Sequence, residues 1–139
     1  MTLTKHDFIV DGWYKALSSN AIRRFDVNNE NGYFKWNGYF WHDLNMMGSV
    51  FGDVEPVNLT PEILLKNGFE QAKGHGIITF VKDNFSILVL NDNGDCLLQF
   101  WYKSDWHESK MIPCAETKYV HNLQNAYRLA TGEQIEIKL

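Results

Sequence analysis

Three apolar runs in the second half of the chain leave little freedom in what it can fold into: "GIITFVK" (76–82), "FSILVLN" (85–91) and "CLLQFWYK" (96–103). They are broken only by Asp83-Asn84 and by "DNGD". Breaks this short cannot hold a crossover, so the runs must pair as an antiparallel β-meander with bends at Asp83-Asn84 and Asn93-Gly94. Ile87, Leu88, Val89 and Leu90 are consecutive, which predicts a middle strand covered on both faces. One cover is the segment "TKYVHNLQNAYRLATG", where Tyr119, Val120, Leu123, Ala126, Tyr127 and Ala130 share a helical stripe and His121, Asn122, Asn125 and Arg128 lie opposite. The other cover would be the N-terminal half or a second copy of the chain, which makes a homodimer one expectation. Gly132 stops the helix. Ile135, Ile137 and Leu139, alternating with Gln134, Glu136 and Lys138, then predict a final strand with one buried face.

The first half reads as β-rich. Asp7 to Trp13, Ala21 to Val27, Tyr33 to Trp36 and Tyr39 to His42 carry β-branched and aromatic content between polar clusters, which suits a curved hairpin region or small barrel. In "GYFKWNGYFWH" the Asn37-Gly38 pair supplies both positive-φ positions of a type I′ turn. Trp36 then opposes Tyr39 and Phe34 opposes Trp41, so Phe34, Trp36, Tyr39 and Trp41 share one face, with Tyr33, Lys35, Phe40 and His42 on the other. Burial is the ordinary use of an aromatic stripe. A stacking or docking platform is the alternative.

Between the halves, "NLTPEILLKNGFE" reads as a short connector helix. Thr60 is its N-cap, Pro61 its first residue, Glu62 a favourable first-turn charge, and Gly68 followed by Phe69 a Schellman stop. The expected fold is therefore α+β: a curved N-terminal β-hairpin or small-barrel region, a connector helix, and a meander covered by a C-terminal helix and a final strand. With 139 residues, of which 45% are apolar, the chain has material for a single compact domain, residues 1–139, with sub-regions at 1–58 and 59–139.

Charge narrows the partners. Thirteen basic against 17 acidic side chains leave −4, and Arg23-Arg24 is the only adjacent basic pair, which disfavours a phosphate backbone. The opening "MTLTKHDFIVDG" lacks signal-peptide character and no apolar run nears a membrane span, so an intracellular protein is expected. Cys96 and Cys114 then stay reduced, and Asn58-Leu59-Thr60 is a sequon by chance.

No catalytic motif stands out. His6, His42, His75, His107 and His121 show no ligand spacing, so no metal or cofactor is expected and most should be solvated. Asp105, His107, Glu108 and Cys114 in "DWHESKMIPC" could converge for Cys-His chemistry, although a polar loop explains them equally. Gly74 and Gly76 in "KGHGI" lack the strand-before, helix-after context of a phosphate cradle and read as a turn. "LNMMGSVFGD" suits either a core plug or an adaptable contact loop through Met46 and Met47.

Two segments, "VEPVNLTPEILLKNGFE" and "KYVHNLQNAYRLATGEQIEI", resemble parts of a family of small uncharacterised proteins from bacterial genomes, prophages and phages, and cover little more than a quarter of the chain. The family commonly has alanine then leucine where this chain has Leu129-Ala130, and proline at Asn58. That order turns Leu129 about 100° off the apolar stripe. The resemblance implies no activity or catalytic residue; it implies the cytoplasm of a bacterial host and a partner such as a host defence effector, as for an anti-CRISPR. The expected function is thus non-enzymatic protein binding through Tyr33, Lys35, Phe40, Met46 and Met47. A single-stranded nucleic-acid binder stacking bases on Phe34, Trp36, Tyr39 and Trp41 beside Arg23 and Arg24 is the alternative, with a small hydrolase third.

Overall fold

The computed structural model describes residues 3, 7–17, 31–36, 54–74, 77–92, 95–103, 108–113 and 117–139, with backbone only at 73–74, 91–92 and 95–97. The fold is α+β, and the chain divides into two compact units, Met1–Asn58 and Leu59–Leu139.

In the first unit β1 (Trp13–Ala16) lies between β2 (Tyr33–Lys35) and β3 (Val54–Pro56), antiparallel to both. Among the described residues this sheet is open and three-stranded rather than a closed barrel. Period-2 alternation sends Tyr14, Ala16, Phe34 and Val54 inward, where they join Leu3, Phe8 and Trp36 in one apolar cluster. Phe8 stacks on Tyr14 at 4.5 Å between centroids and meets Trp36 edge-on at 5.6 Å.

The first strand begins six residues later than the expected Asp7. The cause is Tyr14, whose hydroxyl accepts from the Ile9 N–H at 2.9 Å and donates to the Asp7 carbonyl at 2.7 Å. A side chain therefore satisfies the backbone that a ladder would otherwise have taken up. Asp11 then turns the chain in the left-handed region, φ 63°. Gly12 sits so close beneath this corner that a Cβ there would lie 2.7 Å from Ile9 Cγ1 and 2.9 Å from the Tyr14 hydroxyl. From Gly12 onward the ladder runs without interruption, since the Trp36 N–H donates to the Gly12 carbonyl at 3.0 Å and the Ala16 N–H to the Gly32 carbonyl at 2.8 Å. The expected strand Ala21 to Val27, the Asn37-Gly38 turn and the arm Tyr39 to His42 lie outside the described residues.

The second unit opens with α1 (Pro61–Lys66), capped as expected: the Thr60 hydroxyl accepts from the Ile63 N–H at 3.3 Å. Its stop is a Schellman turn, with Gly68 at φ 87° and the Phe69 N–H donating to the Leu64 carbonyl at 3.1 Å. Five strands follow in sequential order, all antiparallel: β4 (Glu70–Gly74), β5 (Ile77–Lys82), β6 (Phe85–Asp92), β7 (Asp95–Tyr102) and β8 (Lys110–Met111). The meander is β5 to β7. β4 is an addition, antiparallel to β5 with Gly74 opposite Ile77, and His75 and Gly76 of "KGHGI" lie outside the described residues.

One sheet face is core: Phe80, Phe85, Ile87, Leu98 and Phe100 are buried, and α2 (Val120–Thr131) adds Val120, Leu123 and Ala126, with Tyr127 5.3 Å from the Phe85 ring. Gly132 ends α2 at φ 75°. The expectation of full cover on both faces needs correction, because Leu88 and Leu90, which point to the opposite face, are half-buried. Among the described residues no helix is long and apolar enough to cross a membrane.

The final segment also departs from expectation. Ile135 and Ile137 are buried and Gln134, Glu136 and Lys138 exposed, so the alternation holds, but the segment joins neither sheet. Near its end a side chain ties it down: the Asn67 amide donates to the Lys138 carbonyl at 2.8 Å and accepts the Lys138 N–H at 2.6 Å. An asparagine amide carries the same donor and acceptor as a peptide unit, so it can replace a neighbouring strand for one residue.

Candidate interaction surface

Because Tyr14, Ala16, Phe34 and Val54 point inward, the alternate residues Trp13, Lys15, Tyr33, Lys35 and Glu55 form the outer face of the β2-β1-β3 sheet. Register then decides their neighbours. Trp13 opposes Lys35, whose Nζ lies 5.3 Å from the centre of the indole, and Lys15 opposes both Tyr33 and Glu55, with 3.8 Å between the Lys15 ammonium and a Glu55 oxygen. Lys35 is exposed and the other four are half-exposed. Among the described residues, Lys15 and Lys35 against Glu55 give this face one more cation than anions, on a chain whose net charge is −4. Strands hold two aromatic rings and three charges in fixed order, which keeps the entropy lost on docking small.

The sequence-derived candidates fall into three groups. Tyr33 and Lys35 are on this face. Phe34 and Trp36 are 1% and 5% exposed inside the core, so neither presents a ring on which a nucleobase could stack. Phe40, Met46, Met47, Tyr39, Trp41, Arg23 and Arg24 lie outside the described residues, as do Asp105, His107 and Cys114; Glu108 is described and exposed. Trp13 is the residue that sequence reading missed. Its signal was the alternation of "WYKA" after Gly12, which a strand ending at Trp13 conceals.

Two residues need different roles from those expected. His121, expected on the wet side of its helix, is 3% exposed and stacks parallel to Tyr119 at 5.8 Å. Tyr14 is buried, which pushes its hydroxyl well above the usual tyrosine value; the Ile9 N–H opposes that shift and the Asp7 carboxylate adds to it. It therefore stays protonated and can keep donating to Asp7. Tyr127 is also raised, by burial first and then by Asp83, Glu133 and Tyr102. Among the described residues no three His, Cys, Asp or Glu side chains gather closely enough to hold a metal.

Compared with known families, curated proteins and solved structures, the chain matches no family model, no curated protein and no solved structure.

Proposed function

We propose that the chain is a protein-interaction domain that engages a partner protein through the outer face of its N-terminal sheet. The observation that carries this reading is the row Trp13–Lys35 beside Tyr33–Lys15–Glu55, with Lys35 exposed and the other four half-buried on paired strands. Tryptophan and tyrosine flanked by charge are the residues that concentrate binding energy at protein interfaces, and losing one such tryptophan typically costs about 2 kcal/mol or more of affinity. The cationic bias of the face favours a partner with an acidic surface. The resemblance of two segments to phage and prophage proteins supports a bacterial cytoplasmic partner, a host defence or regulatory protein, as its identity.

The experiment is affinity capture from a bacterial lysate with wild type and with Trp13→Ala/Lys35→Glu, followed by calorimetry on the partner identified. The double variant should keep its fold and lose the partner. Equal capture by both proteins would remove this face from consideration.

A further inference from the structure

The second unit carries a different opening, independent of the surface just described. A groove of about 400 Å³ runs between the edge strand β8 and the last turn of α2, lined by Tyr102, Lys110, Ile112, Pro113 and Leu129, with Glu108 at its rim. One of its apolar side chains, Leu129, is out in solvent at 67% exposed, and Met111 on β8 is 50% exposed. Exposed apolar surface next to a concavity calls for an occupant, and the backbone of β8 indicates what kind.

Tyr102 pairs with Lys110 and Trp101 with Met111, while the Ile112 N–H donates to the Phe100 carbonyl at 2.8 Å. In an antiparallel ladder the residues that exchange hydrogen bonds with their neighbour alternate with residues that do not. Ile112 bonds toward β7, so Met111 is of the other kind, and its N–H and carbonyl point outward from the sheet. Lys110 and Ile112 send their side chains to the face that α2 covers, into the groove.

The geometry points to β8 as a docking edge for an extended peptide that pairs with Met111 and places alternate side chains in the groove. Its sequence can be read from the register. An antiparallel peptide would exchange both backbone hydrogen bonds with Met111 through one residue. The residue before that one would oppose Ile112 and fill the groove against Leu129 with a large apolar side chain. The residue after it would oppose Lys110 and should be acidic; two further on, opposite Glu108, it should be basic. The recognised pattern is therefore large apolar, any, acidic, any, basic, from the N-terminal end. Lys110 discourages indiscriminate pairing at an edge only two residues long and rewards the peptide that brings the acid.

The test uses the whole ¹⁵N-labelled chain and three synthetic nonapeptides: one with this pattern flanked by threonines, one with acid and base exchanged, and one N-methylated at the second pattern position. The patterned peptide should shift the amides of residues 108–113 and slow hydrogen exchange at Met111 at least tenfold. N-methylation removes the donor to the Met111 carbonyl and should weaken binding about tenfold, as should exchanging the charges. Leu129→Gln, at an exposed position that leaves the fold intact, should weaken the patterned peptide similarly. No amide shifts at millimolar peptide would overturn the proposal. So would equal binding of the N-methylated peptide, which would mean that the groove takes side chains without adding a strand.

Discussion

Replacing Asn67 by alanine tests the least conventional contact in the molecule. The Asn67 amide makes three hydrogen bonds, donating to the Ile63 carbonyl at 2.7 Å and the Lys138 carbonyl at 2.8 Å and accepting the Lys138 N–H at 2.6 Å. At a net ~0.5–1.5 kcal/mol each, three bonds sum to roughly 3 kcal/mol. Lys138 is exposed, so water can rebond its backbone groups once the amide is gone, and we expect a loss of about 2 kcal/mol. The helix stop should survive, because the Asn67 backbone N–H still donates to Ile63 and Leu64. Urea unfolding followed by circular dichroism gives the stability, and hydrogen exchange at the Lys138 amide gives the local effect. Lys66→Ala is the control. It removes a single exposed bond, 2.7 Å to the Leu139 carbonyl, and should stay within about 0.5 kcal/mol of wild type. If Asn67→Ala matches that control and leaves the Lys138 amide as protected as before, the segment is held by Ile135 and Ile137 and the amide is incidental.

Further expectations concern the corner built on Tyr14. Gly12→Ala drives a methyl to within 2.7 Å of Ile9 Cγ1 and should cost about 1–3 kcal/mol in urea unfolding; an unchanged midpoint would mean that the corner relaxes at no cost. Tyr14→Phe removes the bonds to Ile9 and Asp7, leaves the ring stack on Phe8, and should also lose about 1–3 kcal/mol. The raised value of the Tyr14 hydroxyl has a signed consequence. The unfolded tyrosine ionises near pH 10 and the folded one does not, so the unfolded state binds fewer protons and stability falls as pH rises above about 10. Stability curves from pH 8 to 11.5 should show that decline in wild type and a shallower one in Tyr14→Phe; parallel curves would contradict it.

Where local chemistry decides the structure, sequence reading recovers it. The Thr60 cap, Pro61 at the helix start and the Gly68-Phe69 stop are each set by residues within one turn of chain, and all three are in place. The meander was legible because polar breaks shorter than any crossover leave only antiparallel pairing. The failures share a different cause. β1 starts late because one buried hydroxyl, that of Tyr14, bonds the backbone of Asp7 and Ile9, and no propensity scale records a side chain standing in for a strand. The final segment keeps its alternation without joining either sheet, and at Lys138 the Asn67 amide takes the place of a neighbouring strand. β4 was invisible because "EQAKG" has no β-branched residue; its pairing is imposed by β5. His121 was placed on the wrong side because the buried arc of α2 is not constant. Val120, His121, Leu123 and Gln124 are all buried in the first turns, while Arg128 and Leu129 further along are exposed. A stripe of fixed width drawn along the whole helix averages over that change.

The candidate surface was half legible for a related reason. Alternation in "YFKW" separates Tyr33 and Lys35 from Phe34 and Trp36, and the structure keeps that separation, with one pair on the outer face and the other in the core. Alternation says nothing about which strand lies alongside. The described partner of β2 is β1, so the neighbour that completes the surface is Trp13, about twenty residues earlier in the chain, and β3 brings Glu55 to the other side of Lys15. A pattern within one segment identifies a face; the chemistry of that face comes from segments that only pairing brings together. Here pairing puts an indole under Lys35 and a carboxylate against Lys15. On the proposed reading, the charge of Lys35 steers the encounter with a partner and the Trp13 indole anchors it. Reversing that charge should change the association rate and its salt dependence, whereas removing the indole should change the dissociation rate.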